Sequence, residues 1–142
     1  MSVNQISVFV ENKPGSLLGM TRVLAEAGID MRAFSLAETT DFGIARLLVD
    51  DVIDTSTVLK EAGYIASVTP VLAVAVPDVP GGLNQVLQTL ADGDVNVDYM
   101  YAFVGKQPGA YMVLRVADHK VASGLLAVKG IRQLYQEDLV DL

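Results

Sequence analysis

Two short segments have the residue types and spacing to hold a small anion. Asn12-Lys13-Pro14-Gly15-Ser16-Leu17 and Asp78-Val79-Pro80-Gly81-Gly82-Leu83 each set a Pro-Gly pair in front of an apolar stripe of helical spacing. The start of a helix leaves backbone N–H groups without intrahelical partners and carries a partial positive charge, so it attracts a carboxylate. Proline pre-sets the turn, while Gly15 and Gly81 let a ligand come close to the backbone. Amides of Gly15, Ser16 and Leu17, or of Gly81, Gly82 and Leu83, are the donors expected for a carboxylate. Asn12, Asp78, Asp30 and Asn96 have the polar chemistry to accept from a cationic group. The plainer alternative is local: Asn or Asp before a helix is usually a cap, and Pro-Gly in a first turn is ordinary turn chemistry.

Other chemistry finds little footing. His119 is the only histidine, set between Asp118 and Lys120 where a loop is expected to lead into a helix, and it reads as a solvated surface residue rather than a general base. With no cysteine there is no thiol nucleophile, no disulfide and no thiolate metal site, and no metal or cofactor is expected. Asp50, Asp51 and Asp54 form a small acidic cluster that could attract a divalent cation, but carboxylates between a strand and a helix are also ordinary caps. Gly15, Gly19 and Gly43 fall in neither a dinucleotide-binding nor a P-loop pattern. No enzyme activity is expected.

The elements that must position the two loops follow from an internal repeat. At a spacing of 66 residues the loops superpose, Leu24 falls on Leu90, Asp30 on Asn96 and Met31 on Val97; with one residue inserted near Gln107-Pro108 the register continues from Val49 to Val116 and from Gly63 to Gly130. Each half reads as strand, helix, strand, strand, helix, strand. Ile6, Val8 and Val10 alternate with Ser7 and Phe9, the period of a half-buried strand. Leu17, Met20, Leu24 and Ala27 then form a helical stripe that closes at Gly28, as Leu83, Val86, Leu87, Leu90 and Ala91 do in the second copy. Residues 31–39 and 43–49 read as a strand pair, 54–62 as a helix capped by Asp54, and 68–76 as a strand carrying one repeat into the next. The join, Thr69-Pro70-Val71, is too short for a flexible linker, so two units, 1–70 and 71–142, are expected to lie side by side as a pseudo-symmetric pair.

Charge narrows the partners. Ten basic residues stand against 17 acidic ones, and the deficit is shared between the halves, so neither offers phosphates a basic face. No nucleic acid is expected. The polar start of the chain lacks a secretory signal, and the apolar run 71–76 is far short of the ~20 residues that span a bilayer, so no membrane partner is expected and a cytoplasmic location is the simplest reading. With 51% apolar residues the chain has material for a core.

The stretch from Glu11 to Leu17, a helix, and then Glu26-Ala27-Gly28-Ile29-Asp30-Met31 resembles the ACT domain, a small regulatory module of amino-acid metabolism. The second copy, from Asp78 to Leu83 and then Asp94-Val95-Asn96-Val97, resembles another, so the whole chain is similar to a stand-alone tandem ACT protein. The resemblance implies an α+β fold of two ferredoxin-like βαββαβ units with antiparallel sheets. It also implies a free amino acid bound at the interface between units, with Asn12 or Asp78 from a loop and Asp30 or Asn96 from the strand of a facing unit. Asp30 stands where Asn is frequent and Val79 where a polar residue is, so one of the two sites is expected to be silent.

One further asymmetry concerns Tyr99, Tyr101 and Phe103, which alternate onto one strand face where the first copy has Ala33, Ser35 and Ala37. Such a stripe serves core packing, or lines a pocket or an oligomer contact. Two functions are thereby expected. One is a regulatory protein that binds an amino acid and signals to a metabolic partner. The other is a ligand-free assembly subunit docking on an enzyme of amino-acid metabolism. Exposed sheet edges make a homodimer the expected state in either case.

Overall fold

The computed structural model describes residues 2–105 and 109–142; the insertion near Gln107-Pro108 lies outside them. The chain runs β1 (Val3–Glu11), α1 (Ser16–Glu26), β2 (Met31–Glu38), β3 (Phe42–Val49), α2 (Val52–Glu61), β4 (Ala66–Val76), α3 (Gly82–Asp92), β5 (Tyr99–Phe103), β6 (Ala110–Arg115), α4 (His119–Val128) and β7 (Gln133–Leu134), then a 3₁₀ turn at Gln136–Asp141. Two βαββαβ units follow one another. Contacts gather into a first unit of residues 4–69 and a second of 70–142 that also takes the first few residues of the chain.

In the first unit the strand order is β2-β3-β1-β4. β1 and β3 are antiparallel from Ile6 opposite Leu47 to Glu11 opposite Phe42, and β2 pairs with the other side of β3 from Met31 opposite Val49 to Glu38 opposite Gly43. The alternation in β1 sends Ile6, Val8 and Val10 to the helix side, where they bury against Met20 and Leu24 of α1 and Leu59 of α2. Each fully buried leucine or isoleucine there contributes about 1.5–3 kcal/mol. α1 ends at Glu26, one residue before Ala27 of the expected stripe. Gly28 then turns left-handed at φ 71, and the N–H of Ile29 closes onto Leu24.

In the second unit the order is β7-β4-β6-β5, the same topology, with β4 antiparallel to β6 from Leu72 opposite Leu114 to Val76 opposite Ala110. Leu72, Val74 and Val76 bury against Val86 and Leu90 of α3 and Leu126 of α4. The Ala75 N–H reaches the Arg132 carbonyl at 2.9 Å, as the Phe9 N–H reaches Ile65 at 3.1 Å in the first unit.

Two local expectations need correction. α2 begins at Val52 rather than Asp54, and Asp51 is its cap, its carboxylate accepting the Asp54 N–H at 2.9 Å. Both aspartates suit a cap, but Asp51 alone has the extended backbone that lets its side chain turn onto the helix. His119 is not a solvated loop residue. It opens α4 behind the Asp118 cap and is half-buried, with its Nδ1 inside the protein.

Candidate functional site

The two loops share one backbone device. Gly15 and Gly81 both hold φ 85 and stand at the N-cap of α1 and α3, and neither helix has a side-chain cap. The reading of Asn12 and Asp78 as plain helix caps therefore fails. Asn12 faces the other way: its Nδ2 donates to the Thr39 carbonyl at 3.0 Å and its N–H to Asp41 at 3.0 Å, clasping the loop to the β2–β3 turn. Asp78 is exposed. Of the expected amide donors, Ser16 is already bonded to the Lys13 carbonyl at 3.2 Å and Gly82 to Val79 at 3.0 Å. Leu17 and Leu83 pack their side chains on the cores, and their N–H groups belong to a first turn that has no intrahelical acceptor to offer them.

Beside the first loop lies a cavity of about 390 Å³ lined by Phe9, Val10, Glu11, Lys13, Ser16, Phe42, Gly63, Tyr64 and Ile65. Lys13 Nζ and the Glu11 carboxylate pair on its lining, 2.5 Å apart and both mostly exposed. A Cβ placed on Gly19 would sit 3.4 Å from the Tyr64 hydroxyl, so that hydroxyl meets α1 at Gly19 while the residue lines the cavity. Phe9, Phe42 and Ile65 form an exposed apolar wall that continues into a second hollow of about 410 Å³ with Thr39 and Ile44. Phe9, Phe42, Tyr64 and Ile65 escaped the sequence reading. The usable signal was Phe9, an aromatic at a β1 position whose alternation points away from the core.

The second loop is built otherwise. A Cβ on Gly82 would stand 2.0 Å from the Pro77 carbonyl oxygen, so that strand end folds onto the helix start and fills the space that Ser16 enjoys in the first loop. By the repeat, Pro77 and Val79 stand where Glu11 and Lys13 form their ion pair, and Ala75 and Arg132 where Phe9 and Ile65 form the wall.

Asp30 and Asn96 sit far from the loop of their own unit. Glu11 lies opposite Phe42 and Met31 opposite Val49, so seven strand residues, about 23 Å, separate the first loop from the start of β2. Asp30 is 3.7 Å from Arg32, whose guanidinium grips Asp50 with two bonds of 2.8 and 2.9 Å. That hydrogen bonding holds the Asp50 carboxyl below its usual range. Asn96 donates to Asp98 at 3.2 Å. With Asp50 held by Arg32 and Asp51 capping α2, the acidic cluster is accounted for; among the described residues no group of three or more such side chains could hold a metal.

Tyr99, Tyr101 and Phe103 share one face of β5, opposite Arg115, Val113 and Tyr111. Phe103 is buried and stacks on Tyr111 at 5.4 Å, so the inner end of the stripe is packing surface. His119 contacts the last residue of β6, Arg115. Its Nε2 is 3.0 Å from the Arg115 guanidinium, which can only donate, so Nε2 accepts and the proton sits on Nδ1. Burial first, and the Arg115 charge second, lower its pKa below the ordinary value.

The family model for the ACT domain pair matches residues 1–142. The chain belongs to the ACT domain pair family. Protein BT0572 from Bacteroides thetaiotaomicron is 35% identical, with a TM-score of 0.93 over 100% of this chain and 98% of that one. The regulatory subunits of aspartate kinase from Thermus thermophilus, in a ligand-free form, and from Thermus flavus share the ACT fold at TM-scores of 0.65 and 0.64. They are 18% and 16% identical; each match covers 89% of this chain, and 91% and 90% of theirs. Among curated proteins no match is found. No helix among the described residues is long and apolar enough to cross a membrane.

Proposed function

We propose that this ACT pair is a non-catalytic regulatory protein that binds a free amino acid at its first Pro-Gly loop and passes the bound state to a metabolic enzyme. One observation carries the reading: the uncapped start of α1 opens beside a cavity that also presents Lys13 and Glu11. A carboxylate there meets the first-turn N–H groups beyond Ser16, whose own N–H is taken by the Lys13 carbonyl, and the Lys13 ammonium; an α-ammonium meets the Glu11 carboxylate. The acceptor expected from the start of a second strand must come from a facing unit, because within one unit it lies about 23 Å away. Binding at an interface of units gives the ligand a means to alter assembly, and the free edges of β2 and β5 favour a homodimer as that assembly. The likeness in fold to regulatory subunits of aspartate kinase supports an enzyme of amino-acid metabolism as the partner.

Isothermal calorimetry of the full chain against the common amino acids tests this. Saturable binding by at least one of them is expected, weakened tenfold or more when its carboxylate is amidated. The ligand-free assembly subunit is the second reading, favoured by the exposed Phe9, Phe42 and Ile65, and it takes over if none of the amino acids binds.

A further inference from the structure

The walls of the first-loop cavity divide by chemistry. Glu11 and Lys13 present opposite charges side by side, and next to them, with Glu11 directly opposite Phe42, the residues Phe9, Phe42 and Ile65 are 45%, 52% and 71% exposed, large apolar residues left in water. A lone exposed apolar residue needs no explanation, but three that line a hollow shared by two cavities form a patch. Their spacing is fixed by the sheet. Phe9 pairs with Ile44, Phe42 stands two residues along on the same face of β3, and the Ile65 carbonyl accepts the Phe9 N–H at 3.1 Å.

We propose that this cavity selects an amino acid with a large apolar side chain, aliphatic or aromatic, the zwitterion seated on Glu11 and Lys13 and the side chain on Phe9, Phe42 and Ile65. The proposal rests on the amino-acid reading of the first loop and names the class that the loop takes. The ion pair need not break: the Lys13 ammonium has three protons and the Glu11 carboxylate four lone-pair sites, so each keeps its neighbour and gains a ligand group, with charges alternating around four centres. Because the pair is exposed, it orients the zwitterion and contributes little affinity; burial of the side chain supplies most of it, at about fourfold for each methylene removed from water. Acidic amino acids are disfavoured twice, by the apolar wall and by the chain's net charge of −7. The second loop, with Pro77 and Val79 in place of the ion pair, takes no part.

Calorimetry of the full chain with leucine and phenylalanine, and with glycine, serine, aspartate and lysine as comparators, tests the selection. Leucine or phenylalanine is expected to bind at least tenfold more tightly than any comparator. Phe42→Ser, at an exposed position, is expected to leave the circular dichroism spectrum unchanged and to erase that preference. Lys13→Met is expected to weaken leucine and phenylalanine alike and by no more than a few-fold, and to reduce the penalty for amidating the carboxylate while the helix-start N–H groups keep part of it. A comparator that binds as tightly, or a preference that survives Phe42→Ser, overturns the selection while leaving amino-acid binding itself in place. Absence of binding by all six overturns the selection, and absence across the common amino acids overturns both; if light scattering then shows a dimer that Phe42→Ser dissociates, the wall is a contact between copies.

Discussion

Ser16 and Gly82 occupy the same position of the repeat, one residue after a left-handed glycine with φ 85, and their surroundings set the two halves of the molecule apart. Beside Ser16 the chain leaves a cavity edged by Glu11 and Lys13; beside Gly82 it lays the Pro77 carbonyl where a side chain would begin. A duplicated loop can thus keep its turn, which its own residues encode, and lose its cleft, which depends on the strand end before it and on the α2–β4 or α4–β7 connection beside it.

Exchanging the two residues should break the comparison with the largest effect. Gly82→Ser drives a Cβ into backbone that cannot step aside, and a loss of about 3 kcal/mol is expected in urea unfolding. Ser16→Gly only adds backbone freedom at a helix start, and should cost less than about 1 kcal/mol. Equal costs for the two would mean that the second loop is as open as the first.

The repeat made most of the fold legible, because alternation in β1 and the three-four spacing in α1 and α3 are written locally. Caps were half legible: Asp51 and Asp54 both suit the role, and only the backbone chooses between them. The site was legible where it depends on the turn, in Pro14 and Gly15, and illegible where it depends on residues from elsewhere in the chain. Tyr64 and Ile65 reach the cavity from the end of α2, some 50 residues beyond Lys13. Burial of His119 was hidden for the same reason, since the Pro70 backbone that faces it belongs to β4, some 50 residues earlier in the chain.

His119 sharpens the comparison in its second place. Asp51 and Asp118 cap α2 and α4 alike, each accepting the N–H three residues on, but the following residue is Val52 in one unit and His119 in the other; Leu48 is likewise matched by Arg115. The folded state lowers the His119 pKa below the ordinary 6.5, so the unfolded chain takes up the proton first. Stability from this group is therefore complete above pH 6.5 and is lost as the pH falls from there toward the folded value. Thermal unfolding of His119→Val, which installs the first unit's residue, should show a flatter pH dependence between pH 6.5 and 5 than the parent chain. An unchanged slope would place the titration elsewhere.

The smallest expected effect lies at the far ends of α1 and α3. Gly28 and Asp94 both turn left-handed, at φ 71 and 59, and both close the same pair of bonds: Gly28 to Ala25 and Ile29 to Leu24 in one unit, Asp94 to Ala91 and Val95 to Leu90 in the other. Asp94 is the only non-glycine residue with positive φ among the described residues, and an aspartate bears that conformation at a modest cost. Asp94→Gly relieves the cost but gives the unfolded chain more freedom, and the two oppose. A net gain of at most about 1 kcal/mol is expected. Charge offers a rival source for any gain, because Asp94 lines a hollow with Asp98 and Asp118, and removing one of three carboxylates relieves their repulsion. Salt separates the two causes, since repulsion between exposed carboxylates fades as ionic strength rises while backbone conformation does not respond to it. A gain in Asp94→Gly that persists in 1 M NaCl belongs to the turn; one that disappears there, and that Asp94→Asn reproduces at low salt, belongs to the carboxylate.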